Sequence, residues 1–228
     1  MHILIVSATL FEIKPFFDRL GPADKESEHL YRYRIGEHAL DVLVPGVGMV
    51  ATAFQMGKRL AAGKVDAAIN AGIAGSFRTD LPIGEVVRVE EDCVPEMASE
   101  EDGRLVSFFE LGLLDPWEHP YRSGRLVNDH PLSVPALESL RKVTGNTVNT
   151  LRDREASLKA GMAFPPADIE TMEGAAFLYA CLSAGIPCVQ LRAVSNFVGE
   201  RDKTKWNAAA AVRNLNKTLK KAVMELTN

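Results

Sequence analysis

Residues 2–7, HILIVS, are apolar and rich in β-branched side chains, without the alternation of a half-exposed strand. Such a run reads as a strand buried on both faces, and helices must then cover its sheet above and below. Similar runs recur at 39–45 (ALDVLVP), 66–71 (DAAINA) and 187–195 (PCVQLRAVS).

Helical patterns separate them. Thr9 can cap a helix whose apolar side is Phe16, Phe17 and Leu20, with Pro15 disturbing the pattern. Gly46–Gly48 reads as a tight turn into a helix over 49–62 closed by Gly63, and GIAGS at 72–76 reads as a second glycine turn. EVVRVE at 85–90 alternates as another strand. Residues 91–131 show no sustained period and read as long loops with short elements. The pattern further predicts a helix over 134–142, a short strand at 147–150 and a small-residue helix over 172–184. In a final amphipathic helix from near Trp206, Val212, Leu215, Leu219, Val223 and Leu226 recur at helical spacing. The order implies an α/β fold over 1–228: a single three-layer domain with a central twisted, largely parallel (mixed) β-sheet flanked by helices.

Composition narrows the function classes. The 228 residues are 46% hydrophobic and 25% charged, which is ordinary globular usage. With 26 basic against 30 acidic residues the net charge is −4, so no general field attracts nucleic acid or an anionic membrane. No apolar stretch approaches the roughly 18 residues of a membrane span. The first residues read as a strand rather than a signal peptide, and Cys93, Cys181 and Cys188 lack metal-type spacing. A cytoplasmic protein with reduced thiols is expected.

In such a sheet ligands bind beyond the carboxyl ends of the strands. Glu12 lies shortly after the first strand; a surface carboxylate in a first helical turn is the competing reading. GVGMVA at 46–51, containing Val47, fits a dinucleotide turn, but Asp66 begins a strand instead of ending one, so a small ligand or oxyanion beside the backbone suits it better. The turn containing Ile73, Ala74 and Gly75 reads the same way. Glu173, after Met172, shares a helix face with Ala176, Phe177 and Ala180 and needs donors there, although a capping role also fits. Arg192 interrupts an apolar strand and needs a carboxylate or carbonyl, with Glu173 a candidate. Ser195 and Asn196 follow at the strand end.

The segment ETMEGAAFLYACLSAGIPCVQLRAVSNFV at 170–198 resembles the nucleoside phosphorylase and nucleosidase family, as do NAGIAGSF at 70–77 and PGVGMVATA at 45–53. The resemblance implies that Glu12 activates water, that Glu173 binds the ribose hydroxyls beside Met172, and that Asn196 faces the base. Val47, Ile73, Ala74, Gly75, Arg192, Ser195 and Trp206 would complete the substrate site, with no metal or organic cofactor. Adenine-specific members carry Asp where this chain has Asn196. An amide is no general acid, but it can donate to a purine while accepting a ring N–H, which fits a 6-oxopurine. With TMEGAA, RAVSN and RDKTKW at 201–206, the chain looks most like the futalosine-hydrolysing members, which release hypoxanthine in the alternative menaquinone pathway. A homodimer is the family's default.

Three alternatives stay open. A phosphorylase acting on inosine-like substrates would need arginines for phosphate, and Arg78 is the only arginine in the two glycine turns. A methylthioadenosine/S-adenosylhomocysteine nucleosidase is disfavoured by Asn196. A non-catalytic nucleotide binder is disfavoured by the presence of both Glu12 and Glu173.

Overall fold

The computed structural model describes residues 1–152, 167–200 and 206–228. In chain order the elements are β1 (His2–Val6), α1 (Leu10–Phe17), β2 (Asp24–Lys25), β3 (Leu30–Ile35), β4 (His38–Leu43), α2 (Met49–Ala61), β5 (Ala67–Ser76), β6 (Val86–Cys93), β7 (Ala98–Glu101), β8 (Arg104–Ser107), β9 (Tyr121–Arg122), β10 (Arg125–Val127), α3 (Pro135–Glu138), β11 (Arg141–Thr147), β12 (Ile169–Thr171), α4 (Gly174–Ser183), β13 (Cys188–Phe197) and α5 (Ala208–Leu226).

β1 lies between β4 and β5, parallel to both. Its side chains explain the uninterrupted apolar run: Ile3 and Ile5 join the core under α1 and α5, while Leu4 and Val6 join the opposite core with Phe177, Leu178 and Cys181 of α4. From β5 the sheet continues on both sides, parallel to β13 and antiparallel to β12. β13 pairs with β6, β6 with β11 and β11 with β12, so five strands close a ring. The mixed α/β architecture thus matches the sequence reading. The α5 stripe also does, with Val212, Leu215, Leu219 and Val223 buried.

Three local expectations are corrected. GIAGS is not a turn: β5 runs straight through Gly72 and Gly75 because β13 pairs alongside as far as Ser76. The helix over 134–142 shrinks to Pro135–Glu138, and Arg141–Thr147 is a strand rather than 147–150, since β6 and β12 supply pairing partners on both its sides. Residues 91–131 hold short elements between loops, as expected: the end of β6, the β7–β8 hairpin, β9 and β10. The β3–β4 hairpin, turning at Gly36 with φ +57°, and three-residue β12 were not foreseen.

One contact shapes the site. Pro15 sits inside α1. The side-chain amide of Asn216, buried on α5, enters the helix beside it, accepting the N–H of Phe16 at 2.9 Å and donating to the carbonyl of Glu12 at 2.8 Å. A backbone pair that a regular helix joins directly is thus bridged by a side chain of another helix.

Candidate active site

A cavity of about 280 Å³ opens at the strand ends, with Glu12, Met172, Glu173, Ser195, Asn196 and Trp206 on its wall. Val47, Ile73, Ala74 and Gly75 also line it.

Glu12 stands in the first turn of α1 and is only 7% exposed. One carboxylate oxygen, Oε2, accepts the N–H and hydroxyl of Thr9, each at 3.1 Å. The other, Oε1, accepts the N–H of Ile73 on β5 at 3.0 Å. Glu12 therefore has both the capping contact and a place on the cavity wall. Phe16 is buried in the core, whereas Phe11 is exposed and lines the cavity.

Glu173 is the N-cap residue of α4, preceding the helix that the sequence pattern had it open. Its carboxylate does not cap its own helix. Oε1 accepts the N–H of Gly48, the N-cap residue of α2, at 2.8 Å. Burial pushes the Glu173 carboxyl above the ordinary carboxylate range, with Arg192 and the Gly48 N–H pulling the other way.

Arg192 is 1% exposed and lies behind the wall, not on it. Its direct partner is the side-chain oxygen of Asn70, where the sequence pointed to Glu173. The guanidinium acts on Glu173 and Glu12 through charge. Gly72 makes this arrangement possible: a Cβ there would lie 2.6 Å from Arg192 Nη1 and 3.0 Å from Glu12 Oε1. Steric room, not turn geometry, is what this glycine supplies.

The β5–β13 register slips between Val194 and Asn196, leaving Ser195 as an extra residue. Such a bulge re-aims the side chain beside it. Asn196 donates to the carbonyl of Phe197 at 3.1 Å, and the Ser195 hydroxyl lies 2.7 Å from the Asn196 oxygen and 3.1 Å from the Ala74 carbonyl. Gly75 allows Val198 to approach closely, since a Cβ there would stand 3.0 Å from Val198 Cγ2. The Trp206 indole donates to the Glu200 carbonyl at 2.9 Å. Of the RDKTKW segment, 201–205 lie outside the described residues.

Sequence reasoning did not assign Glu170, Val198 or Arg152 to the wall. Arg152 pairs with Glu96 at 3.0 Å, just beyond a strand whose bounds the local pattern misplaced. Arg78 is off the wall, paired with Asp80 at 2.7 Å and Asp168 at 2.9 Å. Trp117 and Arg122 line a different hollow. Among the described residues no helix is long and apolar enough to cross a membrane.

Residues 2–123 and 143–225 match the family model of the Phosphorylase superfamily. Futalosine hydrolase of Thermus thermophilus is 30% identical over 190 residues, covering 80% of each chain. That of Streptomyces coelicolor is 28% identical over 226 residues, 93% of this chain and 91% of the other. A 5'-methylthioadenosine/S-adenosylhomocysteine nucleosidase of Colwellia psychrerythraea is 29% identical over 211 residues, 86% and 84% of the two chains. In structure, futalosine hydrolase of Helicobacter pylori superposes with a TM-score of 0.80 over 99% of this chain and 98% of the other, at 20% identity. With the family model matched over most of its length, the chain belongs to the phosphorylase superfamily.

Proposed function

We propose that the chain hydrolyses the N-glycosidic bond of futalosine, releasing hypoxanthine and dehypoxanthine futalosine in the alternative menaquinone pathway. The observation that carries this reading is an amide, Asn196, turned into the cavity by the β13 bulge, on a wall that also holds Glu12 and Glu173. The futalosine hydrolases among its relatives support the same substrate.

In this mechanism Glu173 accepts hydrogen bonds from the ribose hydroxyls, and Met172 packs against the sugar. Glu12 takes a proton from water as its oxygen bonds to C1′. The C1′–N9 bond breaks with its electron pair going to the purine, through a transition state with positive charge on the ribose. Asn196 has one amide proton on Phe197 and uses the second to stabilise the departing 6-oxopurine. Arg192 and Ser195 hold the groups that touch substrate. Arg78, engaged with two carboxylates, favours water over phosphate as nucleophile.

The active form in this reading is a cytoplasmic homodimer. Val50 and Phe54, one turn apart on α2, are 83% and 63% exposed, as a helix face needing a cover would be. Light scattering on the purified protein tests that.

Activity is tested by incubating the protein with futalosine, inosine and methylthioadenosine, with and without phosphate, and identifying the released base. Hypoxanthine from futalosine at full rate without phosphate supports the proposal. Strict phosphate dependence would establish a phosphorylase, and faster adenine release from methylthioadenosine would overturn the argument from Asn196.

A further inference from the structure

Since Glu173 gives its carboxylate to Gly48, the first amides of α4 must find acceptors elsewhere. The N–H of Ala175 donates to the Thr147 hydroxyl at 2.8 Å, and that of Gly174 to the Thr171 hydroxyl at 3.3 Å. The two hydroxyls are 3.1 Å apart, and Thr147 donates to Asp92 Oδ1 at 2.9 Å. Each hydroxyl has one proton, so with the Asp92 carboxyl ionised the order is fixed. Thr147 spends its proton on Asp92, leaving Thr171 as donor to Thr147. A directional chain thus runs from the α4 amides through Thr171 and Thr147 to a carboxyl with 0% exposure.

The surroundings are built around this chain. Asp92 Oδ2 accepts the Gln190 side-chain amide at 2.9 Å. Gly174 and Gly145 leave the room: a Cβ would come within 2.4 Å and 2.9 Å of Asp92 Oδ2. Asp92 is absent from the cavity wall, so nothing in the reaction touches it.

We propose that Thr147 and Asp92 are positioning residues for Glu173: they take over the capping of α4 and so free the Glu173 carboxylate to face Gly48 and the ribose. The catalytic part rests on the reading of Glu173 as the ribose-binding group.

The test is a double-mutant cycle on base release, joined to a crystal structure. Thr147→Val keeps shape and loses all three hydrogen bonds; kcat/KM falls by about 100-fold, as misplacement of a binding group allows. Thr147→Ser restores most of it. In a Glu173→Gln background the same Thr147→Val change costs less than about threefold, because the group being positioned is already gone. In the Thr147→Val crystal the Gly48–Glu173 hydrogen bond is lost. Equal losses in both backgrounds would mean general structural damage and overturn the proposal, as would an intact Gly48–Glu173 contact. If wild type releases no base from any nucleoside, the functional reading fails, and the crystal still decides whether Thr147 places Glu173.

Discussion

The carboxylate of Glu173 accepts the backbone N–H of Gly48 at 2.8 Å, although 125 positions separate them in the chain. The contact joins the N-cap residues of α4 and α2, so one carboxylate sits between two positive helix ends.

Gly48 has φ +97°, a region costly for any side chain. Gly48→Ala should cost roughly 1–3 kcal/mol of stability and move the amide that Glu173 needs. Chemical denaturation and KM measured together check this: stability loss with an unchanged KM would separate the turn from substrate binding.

Glu173 must be ionised to accept ribose hydroxyls, and its carboxyl lies above the ordinary range. Activity should therefore fall as pH drops through that raised value, with an acid limb higher than a free glutamate gives. Glu173→Gln should lower kcat/KM and remove this limb; a profile unchanged in shape would show that another group titrates.

Glu12 is held at both oxygens, and Asn216 holds its carbonyl. Glu12→Gln should lower kcat by at least about 100-fold, the lower end of what a general base contributes. Asn216→Leu leaves the Phe16 N–H and Glu12 carbonyl unsatisfied, and should cost about 1–3 kcal/mol of stability while lowering kcat. Thermal unfolding and initial rates test the pair.

Asn196→Asp substitutes a group that can carry a proton to a purine. The ratio of methylthioadenosine to futalosine cleavage should rise by at least about tenfold. Competition between the two substrates reads this directly, and an unchanged ratio would remove Asn196 from base selection.

Burial pushes the Asp92 carboxyl up to about 7, against the Thr147 hydroxyl and the charges of Arg192 and Arg125. The unfolded chain holds it near 3.8. Between those values the folded protein binds the extra proton, so stability falls as pH rises through this window and levels off above it. Asp92→Asn should be more stable than wild type above pH 7 by no more than about 4 kcal/mol, with the advantage vanishing towards pH 4. Calorimetry across pH would show a constant difference if Asp92 did not titrate.

The buried strands and the α5 stripe were legible because their side-chain periods report burial directly. So were Glu12 and Asn196 as groups beyond strand ends, and Glu173 as a carboxylate at the start of a helix. β11 and β12 were not, because Arg141–Thr147 and Ile169–Thr171 become strands through partners distant in the chain. Gly72 shows the same limit. Its local sequence looks like a turn, but its reason is the guanidinium of Arg192, 120 positions away in a neighbouring strand. The Arg192–Asn70 pairing and the Asn216 insertion into α1 likewise depend on contacts that no local pattern carries.

The ring of β5, β13, β6, β11 and β12 is closed by its shortest member. Ile169 and Glu170 of β12 pair with Ser76 and Gly75, while Gly145–Thr147 pair on the other side. β12 is thus a keystone: remove its few ladder bonds and the barrel becomes an open sheet with two raw edges. Met172 and Glu173 follow it immediately, so the segment that locks the barrel also delivers the ribose-facing side chains, and opening the one dismantles the other.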